Sequence, residues 1–389
     1  MYFLFFIALV FAVVFNTQIL PVMGYDKMLV TIAFMPMMIY FGLGFLYKKI
    51  KINFRYSKDA IHVLIIAAFI IAFKFSVGQD YIKKVIEFLI IPMLVAICFD
   101  FLTTREYTLV RRTMIVFFLC ECGLAILEKV VQQNFVYIDL EDMESFKNLG
   151  QFRSSGFLGH PLMNAMFVAV FMAFVTIAEF KKVYFQIFLF FLGYIALFCF
   201  GGRGATLVVT GLVTPFFLWK LNKEARIKKA VLNVSIVCIL FGMFYLFTET
   251  ELGARFQKSE QGQESTKTRL EVFDFYKYYQ DQDDFLWGHP DNYKYMMEKL
   301  GAAGVENGVI TIILDYGIIL TIPMLMLLFK FHYRRLSVFP KHGKWLIILV
   351  FYSIGTMNPS LAMPIMWVLW IFTYYAFKPI NHEKNPVVM

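Results

Sequence analysis

The chain has 389 residues, of which 59% are hydrophobic and 17% charged, and its mean hydropathy is +0.65. Ordinary globular domains carry roughly 45–50% apolar and about 25% charged residues, so a soluble protein of two or three domains is excluded and an all-α integral membrane protein is expected. The formal charge is +9, but the basic residues lie in short clusters between apolar runs, where they orient helices instead of binding nucleic acid.

A spanning helix needs about 20 apolar residues, so about twelve would use roughly 240 positions and leave no room for a large soluble domain. Apolar windows place such spans near 3–22, 28–47, 60–78, 85–101, 113–131, 161–179, 183–200, 204–219, 230–248, 308–329, 345–357 and 363–378. The first run has no basic leader and no small-residue cleavage site, so it reads as a retained span. Cys98, Cys120, Cys122, Cys199 and Cys238 all fall inside apolar runs, with no spacing that suits a disulfide framework or zinc. Neither a metal nor a cofactor is expected.

Basic residues follow the even-numbered spans. From Lys48 to Lys58, Arg105 to Arg112, Lys181 and Lys182, Lys220 to Lys229, Lys330 to Lys344, and Lys378 with Lys384, these segments hold 22 of the 37 Lys and Arg, and this side has six of the 28 acids when those within spans are counted by the nearer side. By the positive-inside rule both termini are cytoplasmic and the long connections are outside. The chain then divides into N-terminal helices over 1–131, a first outer loop over 132–160, central helices over 161–248, a large outer loop over 249–306, and C-terminal helices with a short tail over 307–389. Helical spacing across Leu270, Val272, Phe273, Phe275, Tyr276 and Tyr279 predicts short helices within the large loop.

Three places put unusual residues at the outer end of a span. Arg153 and His160 precede Pro161, which suits a first helical turn, with Asn164 just beyond. Gly201-Gly202-Arg203-Gly204 makes a very tight connection. Glu306-Asn307-Gly308 opens the span after the large loop. Three helices running inward from these points would bring their positive N-terminal ends together. With Arg153 and Arg203 they would make an anion site suited to a diphosphate at headgroup level. The alternative is that each arginine snorkels to the interface. Asp315 and Glu121 fall within spans, where acids face the bundle interior or a cavity. Asp315 is expected to support the site by pairing with an arginine. Glu121 and Lys74 would line a path if the protein were a transporter.

The ordered motifs resemble those of the bacterial O-antigen polymerase and O-antigen ligase superfamily, membrane glycosyltransferases acting on polyprenyl-diphosphate-linked sugars. Arg153 to Asn164 is similar to the family's arginine segment that opens a span, with His160-Pro161-Leu162 where Pro-Asn is more usual. Gly202-Arg203-Gly204 resembles its S-R-G turn, Arg269-Leu270-Glu271-Val272-Phe273 its outer-loop arginine segment, and Phe285-Leu286-Trp287-Gly288-His289-Pro290 its glycine-containing turn. Glu306-Asn307 followed by Leu314-Asp315-Tyr316-Gly317-Ile318 resembles its last motif. The likeness covers roughly residues 150–320, and it departs at Glu306, where ligases carry histidine and many polymerases an acid.

The resemblance implies a metal-independent polymerase of lipid-linked oligosaccharide repeat units at the outer face of the bacterial inner membrane. Arg153 and Arg203 would neutralise the leaving diphosphate, and Glu306 would take the acceptor's proton, unless it only caps its helix. His160 and His289 are the alternative bases. Arg269, His160, Asn164, His289, Asn307 and Asp315 would contact substrate. Partners implied are the lipid-linked donor and acceptor, membrane lipid, a chain-length regulator and a flippase, and no nucleic acid. The rival readings are a ligase moving glycan onto lipid A core or protein, and a transporter of lipid-linked sugar.

Overall fold

The computed structural model describes residues 2–14, 30–46, 54–75, 79–136, 152–223, 272–277, 279, 282–289, 291–300 and 307–379. Among these every regular element is helical. In chain order they are α1 (Tyr2–Val14), α2 (Val30–Leu46), α3 (Phe54–Phe73), α4 (Gln79–Val85), α5 (Ile91–Phe99), α6 (Thr104–Val131), α7 (Pro161–Ile177), α8 (Val183–Phe200), α9 (Arg203–Val208) and α10 (Thr214–Lys223). The large loop contributes a 3-10 turn at Val272–Lys277, α11 (Gln282–Trp287) and α12 (Asn292–Leu300). The last are α13 (Gly308–Arg335), α14 (Lys341–Met357) and α15 (Pro364–Phe377). Single π turns, Ile86–Ile90 and Val209–Val213, join α4 to α5 and α9 to α10 without a break in direction.

Among the described residues three helices are long and apolar enough to cross a membrane: Val183–Phe200, the composite Arg203–Leu221, and Gly308–Val338. The expectation of about twelve is therefore met only in part. Tyr2–Val13, Phe34–Leu46, Pro161–Ile177 and Pro364–Phe377 are apolar but shorter, α6 carries Arg111, Arg112, Glu121, Glu128 and Lys129, and a π turn divides the window at 85–101. The 230–248 window lies outside the described residues.

The centre of the bundle is apolar all round, as a helix without a solvent face must be. Every residue of α7 except Leu162 is buried, and so is every residue of α15 from Met366 onward. These two helices pack on each other, and α6, α8, α9 and α14 surround α7. Aromatic rings fill the joints: Phe171 stacks on Phe118 of α6 with centroids 4.1 Å apart and meets Phe377 edge-on at 5.2 Å.

Helix ends follow local chemistry. Thr103 and Glu106 form a reciprocal capping box that starts α6, and Gln132 in the left-handed region ends it. Lys220 donates to Thr176, Ile177 and Ala178 carbonyls at 3.1, 3.0 and 2.9 Å, which satisfies the last turn of α7. This lysine belongs to a basic end of the bundle. There Arg334 meets Asp59 at 2.8 Å, Arg111 donates to the Glu179 carbonyl at 3.1 Å, and buried Arg335 grips Asp100 and Tyr375. Residues from the segments after α3's start, α5, α7, α10, α13 and α15 thus share one end. The other end gathers the glycine turns.

Candidate functional site

Arg153 is held by a loop laid across the last turns of α6. Lys129 donates to the Phe152 carbonyl at 3.1 Å, the Ser154 hydroxyl donates to the Ala125 carbonyl at 2.7 Å, and the Ser154 N–H donates to the Cys199 carbonyl of α8 at 3.0 Å. Glu128 then receives the N–H groups of Ser155 and Gly156 on Oε2 at 2.8 and 3.0 Å, and the Phe157 N–H reaches Glu121 Oε2 at 3.1 Å. Gly156 has φ +57, and a side chain there would collide with Glu121. Only glycine fits, both for the left-handed backbone and for the close approach.

The same end receives the connection between α8 and α9. Gly201 caps α8 at φ +62, and a Cβ on Gly202 would fall 2.6 Å from that of Ala165, so the turn lies directly on the first turns of α7. Gly204 lies beside the Met357 sulfur at the end of α14, and a Cβ there would sit 3.2 Å from it. Asn358, the next residue, borders Gly308, whose Cβ would fall 3.0 Å from the Asn358 carbonyl and 2.5 Å from that of Gly355. The N-termini of α7, α9 and α13 therefore meet at one end of the bundle, as their sequence positions predict. They differ in how their first N–H groups are used. His160 Nδ1 accepts from Leu162 at 3.2 Å and Asn307 Oδ1 from Val309 and Ile310 at 3.1 Å each, whereas no side chain caps α9 behind Gly202. Asn164 bonds the Ser155 and His160 carbonyls and so fastens the loop to α7.

Asp315 belongs to a second cluster. α13 breaks at Gly317 (φ +71), and Gly288 (φ +72) of the large loop fits into the break so closely that a Cβ on either glycine would strike the other's backbone. Lys74 donates to the Gly288 carbonyl at 2.9 Å, Lys84 meets Asp315 at 2.8 Å, and the His289 N–H donates to the Leu314 carbonyl at 3.1 Å. The His289 ring is turned to Asp291, with Nδ1 accepting its N–H at 3.3 Å. Met296 packs on Ile310 and Leu314 and seats α12 along the first turns of α13. Burial beside Asp284 holds the Tyr279 phenol above its ordinary range.

Several sequence expectations change here. Asp315 pairs with a lysine, not an arginine, since α4 rather than an arginine loop lies against α13 at that level. Glu121 is wholly buried under the Arg153 loop, and Lys74 is bonded to the Gly288 carbonyl. The segment from Val272 to Lys277 forms a 3-10 turn, with Asp274 outside helical geometry and paired to Lys277 at 2.7 Å. Arg269 and Glu306 lie outside the described residues. Glu128 and Lys84 were missed in the sequence. The available signal for Glu128 was its placement seven residues after Glu121, two turns along the same face of an apolar helix. Among the described residues no three His, Cys, Asp or Glu side chains gather as a metal site.

No family model matches the chain, and a search of curated proteins finds no match. Among the described residues, two arginine-bearing glycine turns and the N-terminus of α9, which has no side-chain cap, lie at one end of an apolar bundle.

Proposed function

We propose that the protein is a polytopic glycosyltransferase with about twelve membrane crossings and cytoplasmic termini. On this reading it sits in a bacterial inner membrane and joins polyprenyl-diphosphate-linked oligosaccharide units at the outer face. The observation that carries this reading is the tie between the two arginine turns. Ser154, beside Arg153, is bonded to Cys199, four residues before Arg203, which supports a shared site for the two arginines near the N-terminus of α9.

The acceptor hydroxyl oxygen attacks the anomeric carbon of the donor sugar, and the bond from that carbon to the diphosphate breaks. The diphosphate leaves with the electron pair, held by Arg153, Arg203 and the α9 N–H groups. The hydroxyl proton passes to Glu306, kept ionised by the N-terminus of α13. A transporter would use a broken helix midway through the bundle to hold its substrate. Here the break at Gly317 is already filled by Gly288, which favours an enzyme.

The test is incubation of purified protein in nanodiscs with a polyprenyl-diphosphate oligosaccharide, with and without a separate lipid A core acceptor. Lengthened lipid-linked product is expected in both. Product formed only on the added acceptor would establish a ligase instead, and no product in either would remove the glycosyltransferase reading.

A further inference from the structure

We propose that Glu128 is a positioning residue for the reaction, fixing where Arg153 stands relative to Arg203; this rests on the glycosyltransferase reading above. Four donors converge on Glu128, whose carboxylate can accept about four hydrogen bonds. Oε1 accepts from the Phe135 N–H at 2.9 Å, and Oε2 from the Ser155 and Gly156 N–H groups at 2.8 and 3.0 Å; the Ser155 hydroxyl lies 3.0 Å from Oε1 and divides its one proton between it and the closer Val136 carbonyl. The side chain is wholly buried, so these bonds stand in for the water it has lost.

The four donors come from two stretches of chain, the exit of α6 and the segment just after Arg153. One carboxylate therefore clamps the loop at both its ends. The loop's N–H groups at 155–157 form the kind of concave cradle that holds a phosphate in many proteins. In this chain it is filled by the protein's own acids, Glu128 and Glu121. The cradle thus serves rigidity, and anion recognition falls to the arginine side chains and α9. Ser154 is bonded both to α6 and to α8, so the backbone that Glu128 fixes at 155–156 runs directly into the residue that joins Arg153 to the turn before Arg203.

The decisive comparison is Glu128→Gln against wild type and Arg153→Ala, with two readouts in the same preparations: polymerisation kinetics and hydrogen exchange of the peptide covering 152–158. An amide keeps one acceptor oxygen and turns an NH2 group onto at least one backbone N–H. Exchange over 152–158 should accelerate while α7 and α8 stay protected, and kcat should fall about 100-fold, the scale of an ångström-sized misplacement, with KM within a factor of three. Glu128→Asp should recover part of kcat. Faster exchange with wild-type turnover, or unchanged exchange, would overturn the role. If Glu128→Gln fails to insert, Ser155→Ala removes one of the four donors, and about a threefold loss is expected from one hydrogen bond; full turnover with a loosened loop would equally overturn it. Wild-type protein that leaves the lipid-linked substrate unextended sinks the polymerase reading itself, and that failure is visible before any variant is compared.

Discussion

At the scale of single residues, the site is built from groups with unequal freedom of replacement. Arg153→Ala and Arg203→Ala should each lower polymerisation about 10² to 10³-fold, as loss of a transition-state charge partner does elsewhere, with unchanged yield of folded protein. Lysine at either place should restore only part, since it offers a point charge where arginine offers a planar fork; wild-type rates from both alanine variants would move the diphosphate site elsewhere. Glu306→Gln should cost about 10² to 10⁴ in rate if the carboxylate accepts the proton; Asn307 already caps α13, so turnover of Glu306→Gln within about a factor of three of wild type would remove Glu306 from the mechanism. The arginines could be picked out in the sequence because each stands beside glycines at the mouth of an apolar run. Glu128 could be marked as a second acid on the face of Glu121, but not as a clamp, because that role depends on donors some 27 residues away that no local pattern announces.

At the scale of elements, helices were legible and their roles were not. Apolar windows coincide with α2, α7, α8, α13 and α15 because a continuous apolar run and a helix are the same statement in a membrane. That α7 and α15 are central and α1 peripheral could not be read, since both kinds are apolar throughout. Nor could the break in α13: Gly317 inside an apolar run reads as a tolerated glycine until Gly288 is placed against it. Gly288→Ala is expected to undock α11, because a methyl group has no space there and φ +72 strains any L residue. Limited proteolysis should cut that variant faster between 249 and 306 than wild type. Equal protection would mean that the loop is held by other contacts, with Met296 and Leu314 the first to consider.

At the scale of the whole molecule, the alternation of ends gives the clearest test. Basic segments from six different places converge at one end and the glycine turns at the other, which is what a chain crossing back and forth produces. A cysteine at Ser265 should react with an impermeant reagent in intact spheroplasts and one at Asn222 should not; the opposite pattern would invert the orientation. Stability should depend on the basic end. Asp100 and Arg335 are both under a tenth exposed and share hydrogen bonds with Tyr375, so Asp100→Asn should destabilise the protein by about 3–5 kcal/mol, the cost of stranding a buried charge. A thermal melt in detergent that matches wild type would show that Tyr375 and water compensate.

The bonds from Lys74 to Gly288 and from Lys84 to Asp315 join positions 214 and 231 residues apart. A ribosome making this chain delivers both lysines long before their partners exist. Contacts of such high sequence separation form slowly, so the N-terminal helices are made long before the groups that fasten them: Lys74 gains its partner only with the large loop, and Lys84 only with α13.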